Sequence, residues 1–189
     1  MIDIETAIQE HLDVIGGIRP LATDIAAVAR RVSDCLAAGG KILWMGNGGS
    51  AADSQHLAAE LVGRYSRERR GLASIALTTD TSILTAVGND YGYDRIFARQ
   101  IDALCQAGDV VMGLSTSGNS PNVIAALEQA NAREATTVGF TGGDGGAMHG
   151  IVDHCLVVPS KVTARIQEAH ILIGHLICDW AEANVVDGR

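Results

Sequence analysis

At 189 residues, with 47% hydrophobic and 19% charged positions, the chain has the size and balance of one soluble globular domain. Its formal net charge of -8 excludes a broad basic surface of the kind that neutralises a nucleic-acid backbone, although a few local donors suffice for a small anion. The four cysteines (Cys35, Cys105, Cys155, Cys178) form no CxxC pair, and three lie in apolar runs, as free buried thiols in a reducing cytosol do.

The first residues, MIDIETAIQEHLD, show neither the basic end nor the apolar stretch of a secretory signal. No uninterrupted apolar run approaches about 18 residues, the length that crosses a bilayer. A cytoplasmic protein with neither a membrane nor a nucleic-acid partner is expected. The one dense basic stretch, Arg64 to Arg70, reads as a solvated loop.

In chain order, Ile4, Ala7, Ile8, Leu12 and Ile15 recur at helical spacing until Gly16-Gly17. A second helix is predicted from about Pro20 to Ala38, with Ile25, Val28, Val32, Cys35 and Leu36 as its apolar stripe. The pattern then changes to short apolar runs at 41–46, 73–77, 109–114, 135–140 and 154–159. Runs apolar on both faces read as buried parallel strands. The stretches Ala51–Gly63, Asp94–Ala107 and Pro121–Arg133 read as crossover helices, and Thr163–Ala183 as a last helix apolar nearly all round. The expected fold is a single α/β domain over 1–189. Helices occupy 1–39, and a doubly wound, mainly parallel five-stranded sheet flanked by helices occupies 40–189. A helix as apolar as the last one needs cover on several sides, which suggests a subunit interface.

In such sheets ligands bind beyond the carboxyl ends of the strands, and two loops there are unusual. Gly46-Asn47-Gly48-Gly49-Ser50-Ala51 lets the backbone approach a ligand, with Ser50 placed to cap the following helix. It matches neither a dinucleotide fingerprint nor a Walker loop. Ser115-Thr116-Ser117-Gly118-Asn119-Ser120-Pro121 carries more hydroxyls than capping needs and reads as a phosphate cradle. With no Lys or Arg nearby, such a cradle rests on hydroxyls, N–H groups and the helix dipole. A third glycine-rich segment, Thr141 to Gly146, is expected to be a flexible turn. Gly88 to Asp94 is expected to be a loop.

Polar residues also interrupt two apolar helices. His56 and Glu60, four apart, share a helix face within reach of one ligand or metal. Gln167, Glu168, His170 and His175 interrupt the last helix, where a buried polar group must be hydrogen-bonded or ligating. Gln167 and His175 lie about 12 Å apart along the axis. They meet one centre only by leaning together or through residues of two chains.

The segments GNGGSAAD with QHLAAEL, LTTDTSILTAVGNDYGYD, STSGNSPN and RIQEAHILIGH together resemble the phosphoheptose isomerases of the sugar isomerase (SIS) superfamily, over nearly the whole chain. The resemblance implies an SIS fold and ketose–aldose isomerisation of sedoheptulose 7-phosphate. It further implies a homotetramer with active sites at subunit interfaces and one Zn2+ per subunit. By motif, Asn47, Gly48, Gly49 and Ser50 would line the substrate site, Ser115, Thr116, Ser117 and Ser120 would hold the phosphate, and Asn89 and Asp90 the sugar. His56, Glu60, Gln167 and His175 would be metal ligands, with Glu60 and His175 the proton carriers and Gln167 also facing substrate. Ala164 departs from the family, some members of which carry an acid there. The same fold serves a non-catalytic tetramer, the DnaA initiator-associating protein, and SIS domains that sense sugar phosphates, so these are the alternatives to an enzyme.

Overall fold

The computed structural model describes residues 3–187. Two helices come first, α1 (Ile4–Gly17) and α2 (Ala22–Ala37), joined by a 3-10 turn at Arg19–Leu21 that contains Pro20. Asp3 caps α1, accepting the N–H of Glu5 at 3.3 Å. Five parallel strands follow: β1 (Ile42–Gly46), β2 (Ser74–Ala76), β3 (Val110–Leu114), β4 (Thr136–Gly142) and β5 (His154–Val158). They form one sheet in the order β2-β1-β3-β4-β5. The expected doubly wound parallel sheet is borne out.

Alternation along each strand builds two cores. Ile42 and Trp44 of β1 face α2, α3 (Gly49–Val62) and α7 (Thr163–Asp187), whereas Leu43 and Met45 face α5 (Ala98–Leu104) and α6 (Pro121–Ala132). That two-sided burial is why the strands read as unbroken apolar runs. Cys35, Cys105 and Cys178 are buried and all four cysteines are free, as expected. None of the described helices is long and apolar enough to cross a membrane.

One helix departs from expectation. α4 (Thr81–Tyr91) includes Gly88, Asn89 and Asp90, so these three are the end of a helix rather than a loop. Asp80 caps it, accepting the N–H of Ile83 at 2.9 Å. Gly92, at φ +88°, then turns the chain into a 3-10 turn at Tyr93–Arg95.

The strand order reverses between β1 and β3, and this switch point is where an open α/β sheet leaves a crevice at its carboxyl edge. The loops leaving β1 and β3 flank it.

Candidate active site

The β1–α3 loop begins at buried Gly46, where a Cβ would strike the backbone of Ser50. Gly48 is the helix cap, at φ 56° and ψ -121°, a conformation that only glycine adopts easily. Ser50 therefore does not cap α3 with its side chain. It lies buried in the first turn, and its carbonyl accepts Ser54 Oγ at 2.7 Å. Gly48 and Gly49 are exposed, with the amide of Gln167 directly against Gly49.

Asn47 is held by a reciprocal amide pair. Its Nδ2 donates to Asn122 Oδ1 at 2.9 Å, and Asn122 Nδ2 donates to Asn47 Oδ1 at 2.8 Å. The Tyr93 hydroxyl also donates to Asn47 Oδ1, at 3.1 Å. Asn122 and Tyr93 escaped the sequence reading, although Asn122 closes the motif STSGNSPN. Asn89 and Asp90 are exposed, with Asn89 Nδ2 donating to Asp90 Oδ1 at 2.8 Å.

Between β3 and α6, the hydroxyls of Ser115 and Ser120 are 2.9 Å apart, and those of Ser115 and Ser117 3.4 Å apart. Ser120 occupies the cap position of α6 but makes no side-chain cap bond, so its hydroxyl belongs to this cluster. Gly118, at φ +65°, abuts the Gly145 carbonyl so closely that any side chain would collide. The segment after β4 is thus no independent turn. Ala147 N–H donates to Asn119 Oδ1 at 2.9 Å and Met148 N–H to the Gly118 carbonyl at 3.0 Å, which fixes the serine loop from behind.

Helices α3 and α7 run side by side, with Gly49 beside Gln167 and Leu57 beside Gly174. His56 and His175 meet there, Nε2 to Nε2 at 2.9 Å, and His56 Nε2 is 3.2 Å from Glu60 Oε1. One ligand atom from each of these three residues falls within 4.8 Å of the others. Two imidazole nitrogens and a carboxylate so close together are a donor set that suits a zinc-type cation. The Gln167 amide lies against Gly49, at the start of α3 and seven residues before His56. One chain therefore brings His56, Glu60 and His175 of the expected ligands together. Asp53, a carboxylate the sequence reading passed over, flanks the cluster: burial raises its pKa, and His56 and His175 oppose that rise. His170 is a core residue, fully buried, with Nε2 3.1 Å from the Thr141 carbonyl, and burial lowers its pKa to about 4.

The segment Arg64–Arg70 is a loop, but not a freely solvated one. Glu182 of α7, fully buried, accepts the N–H groups of Tyr65, Ser66 and Arg67 at 2.9, 2.7 and 2.8 Å. Arg69 Nε lies 3.0 Å from Glu182, and its other nitrogens donate to the carbonyls of Glu60 and Leu61 at the end of α3, both at 2.9 Å. This brace ties the helix of Glu60 to that of His175 and holds the Tyr65 ring on the His175 ring, centroids 5.5 Å apart.

A parallel sheet of this order, with paired glycine and serine loops at its switch point, defines an SIS domain, and the SIS domain family model matches residues 9–142. The phosphoheptose isomerase of Geobacter sulfurreducens is 60% identical over 164 residues, covering 87% of each chain. That of Paramagnetospirillum magneticum is 63% identical over 150 residues, covering 79% of this chain and 78% of the relative. The solved phosphoheptose isomerase of Neisseria gonorrhoeae superposes with a TM-score of 0.91 at 45% identity, covering 95% of this chain and 97% of that one. The chain belongs to the phosphoheptose isomerases of the SIS domain family.

Proposed function

We propose that this protein isomerises sedoheptulose 7-phosphate to D-glycero-D-manno-heptose 7-phosphate through an enediolate. The observation that carries the reading is the His56, Glu60 and His175 cluster, where α3, the helix that the glycine loop opens, meets α7. A non-catalytic interaction module or a sugar-phosphate sensor has no need of a base and a proton carrier within 4.8 Å of each other.

The reaction moves hydrogen within one molecule and consumes no oxidant. Glu60 Oε1 takes the proton from C1 of the ketose and returns it to C2 of the enediolate. His175 Nε2 carries the hydroxyl proton from O1 to O2, so that C1 becomes the aldehyde and C2 the carbinol. Ser115, Thr116, Ser117 and Ser120 hold the phosphate at the amino end of α6, whose dipole favours the anion. Asn47, Gly48, Gly49 and Ser50 line the sugar end together with Asn89 and Asp90, and Tyr93 and Asn122 orient the Asn47 amide.

One Zn2+ per subunit is part of the proposal, and the donor set fits it. His56, Glu60 and His175 would hold it, with Gln167 joining from a neighbouring copy as well as facing substrate. Bound there, it would polarise the sugar oxygens as a Lewis acid. The supporting observation for a homotetramer with interfacial sites is apolar exposure. Ile4, Ile8, Leu12, Leu176 and Trp180 are exposed, and a groove of about 710 Å³ between α2 and α7 is lined by Ile25, Leu172 and Trp180. The enzyme is proposed to work in the cytoplasm as a single domain, without nucleic-acid or membrane partners.

The test is incubation with sedoheptulose 7-phosphate, aldose formation being followed by NMR before and after chelation. Turnover lost on chelation and restored by Zn2+ is expected. A folded, zinc-loaded protein with no turnover would refute the isomerase, and turnover indifferent to chelation would refute the metal.

A further inference from the structure

Two consecutive glycines stitch three loops together at the carboxyl edge of the sheet. Gly142 N–H donates to the Thr116 carbonyl at 3.1 Å, and Gly143 N–H donates to the Ser160 carbonyl at 2.8 Å. The serine loop therefore flanks the end of β4 on one side, and the β5–α7 loop flanks it on the other. Between them lies a cavity of about 380 Å³, walled by Thr116, Ser117, Asp144, Lys161 and Thr163.

Lys161 is placed there by its neighbours. Ser160 Oγ accepts the N–H of Val162 at 3.1 Å, which sets the turn, and Thr163 opens α7, a helix of 25 residues. The amino end of that helix adds positive potential to the cavity. The chain has one other lysine, Lys41, and it is 2.6 Å from buried Asp109. Lys161 is exposed and makes no ion pair among the described residues. The one carboxylate in the cavity wall, Asp144, has an oxygen turned back to the Gly146 N–H at 3.0 Å. Lys161 thus shares a cavity wall with Thr116 and Ser117 of the serine loop, a juxtaposition that the order of residues along the chain does not show.

We propose that the Lys161 ammonium is the cationic contact for the phosphate of the substrate, completing the hydroxyl cradle and selecting phosphorylated sugars over free ones. The proposal rests on the isomerase reading for its substrate, but the anion site itself does not. Hydroxyl and N–H donors bind a phosphate as dipoles, and a phosphate of charge near -2 lacks a counter-charge among them. A flexible ammonium supplies it as a point charge.

The test compares the wild type with Lys161→Met and Lys161→Arg. It measures kcat and KM for sedoheptulose 7-phosphate, and the binding of inorganic phosphate by calorimetry. For Lys161→Met, a rise of about ten-fold is expected in both KM and the phosphate Kd, the size of one charge-assisted hydrogen bond at a partly exposed site. kcat should fall far less, and Lys161→Arg should recover most of the affinity. Unchanged KM and phosphate Kd in Lys161→Met would overturn the assignment, as would a loss confined to kcat. Phosphate binding that depends on Lys161 in a protein without turnover would support the anion site and remove the isomerase reading.

Discussion

Replacing Glu182 by Gln probes the brace between α3 and α7 at its centre. Burial alone would raise the pKa of this carboxyl, but the N–H groups of Ser66, Arg67 and Tyr65 hold it down to about 2, against an ordinary 4.5. A depressed carboxyl stabilises the fold above its unfolded pKa, and that stabilisation is lost as pH falls through the folded value. The gap corresponds to about 3 kcal/mol at pH 7 and about 1.4 kcal/mol at pH 3. Gln keeps the shape but presents an NH2 to three donors and leaves Arg69, whose side chain is 2% exposed, as an unpaired buried cation. Stranding one partner of a buried pair costs about 3–5 kcal/mol, in agreement with the titration figure. Glu182→Gln should therefore lose about 3 kcal/mol at pH 7, with its deficit against the wild type roughly halved at pH 3. Urea unfolding followed by circular dichroism at the two pH values measures this. A deficit under about 1 kcal/mol at pH 7, or one that does not change with pH, would refute the idea that the buried carboxylate holds the loop.

Glu60→Gln should reduce kcat by about 100-fold or more while circular dichroism stays native, since general-base catalysis contributes that much; retention of most of kcat would remove Glu60 from the role. His56→Ala and His175→Ala should each lower the bound zinc measured by mass spectrometry after desalting, and full stoichiometry in either variant would contradict the ligand assignment. Gly118→Ala should cost at least about 1 kcal/mol and weaken phosphate binding, because a side chain at φ +65° collides with the Gly145 carbonyl. Leu176→Glu, which places a charge on the exposed apolar face of α7, should shift the elution volume toward a smaller species, whereas unchanged elution would argue against that face as an interface.

The sheet was legible because both faces of each strand are covered. Val110 to Met112 and Leu114 are all fully buried, so no polar residue interrupts the run and the parallel reading follows. The edge strand β2 is shorter than its apolar run, with Ile75 38% exposed at its centre. α4 was missed for the converse reason. Only Val87 is fully committed to the core, Leu84 is half-buried and Ile83 exposed, so its apolar stripe is short, and Gly88, Asn89 and Asp90 carry turn-forming chemistry inside a helix that Asp80 starts. A cap followed by one turn of apolar spacing and then turn-forming residues is a weak signal on its own.

At the site, the legible parts were those set by spacing along one element. His56 and Glu60 share a face because four residues make about one helical turn, and the serine cluster is contiguous. What could not be read is what the fold brings together from afar. His175 meets His56 because small residues let α3 and α7 pack closely, with Gly174 against Leu57, a proximity no local pattern encodes. Arg69 and Glu182 were hidden differently, since Arg69 sits in a segment whose charge reads as solvated and Glu182 near the end of a helix that reads as apolar nearly all round. Lys161 shows the same logic, separated from Ser117 by 44 positions and brought to it by two glycine N–H groups at the end of β4. Gly142 donates to the serine loop and Gly143 to the β5–α7 loop, and at Gly142 a Cβ would run into Ile166 of α7. The distance between charge and cradle is therefore set by two residues that bear no charge at all.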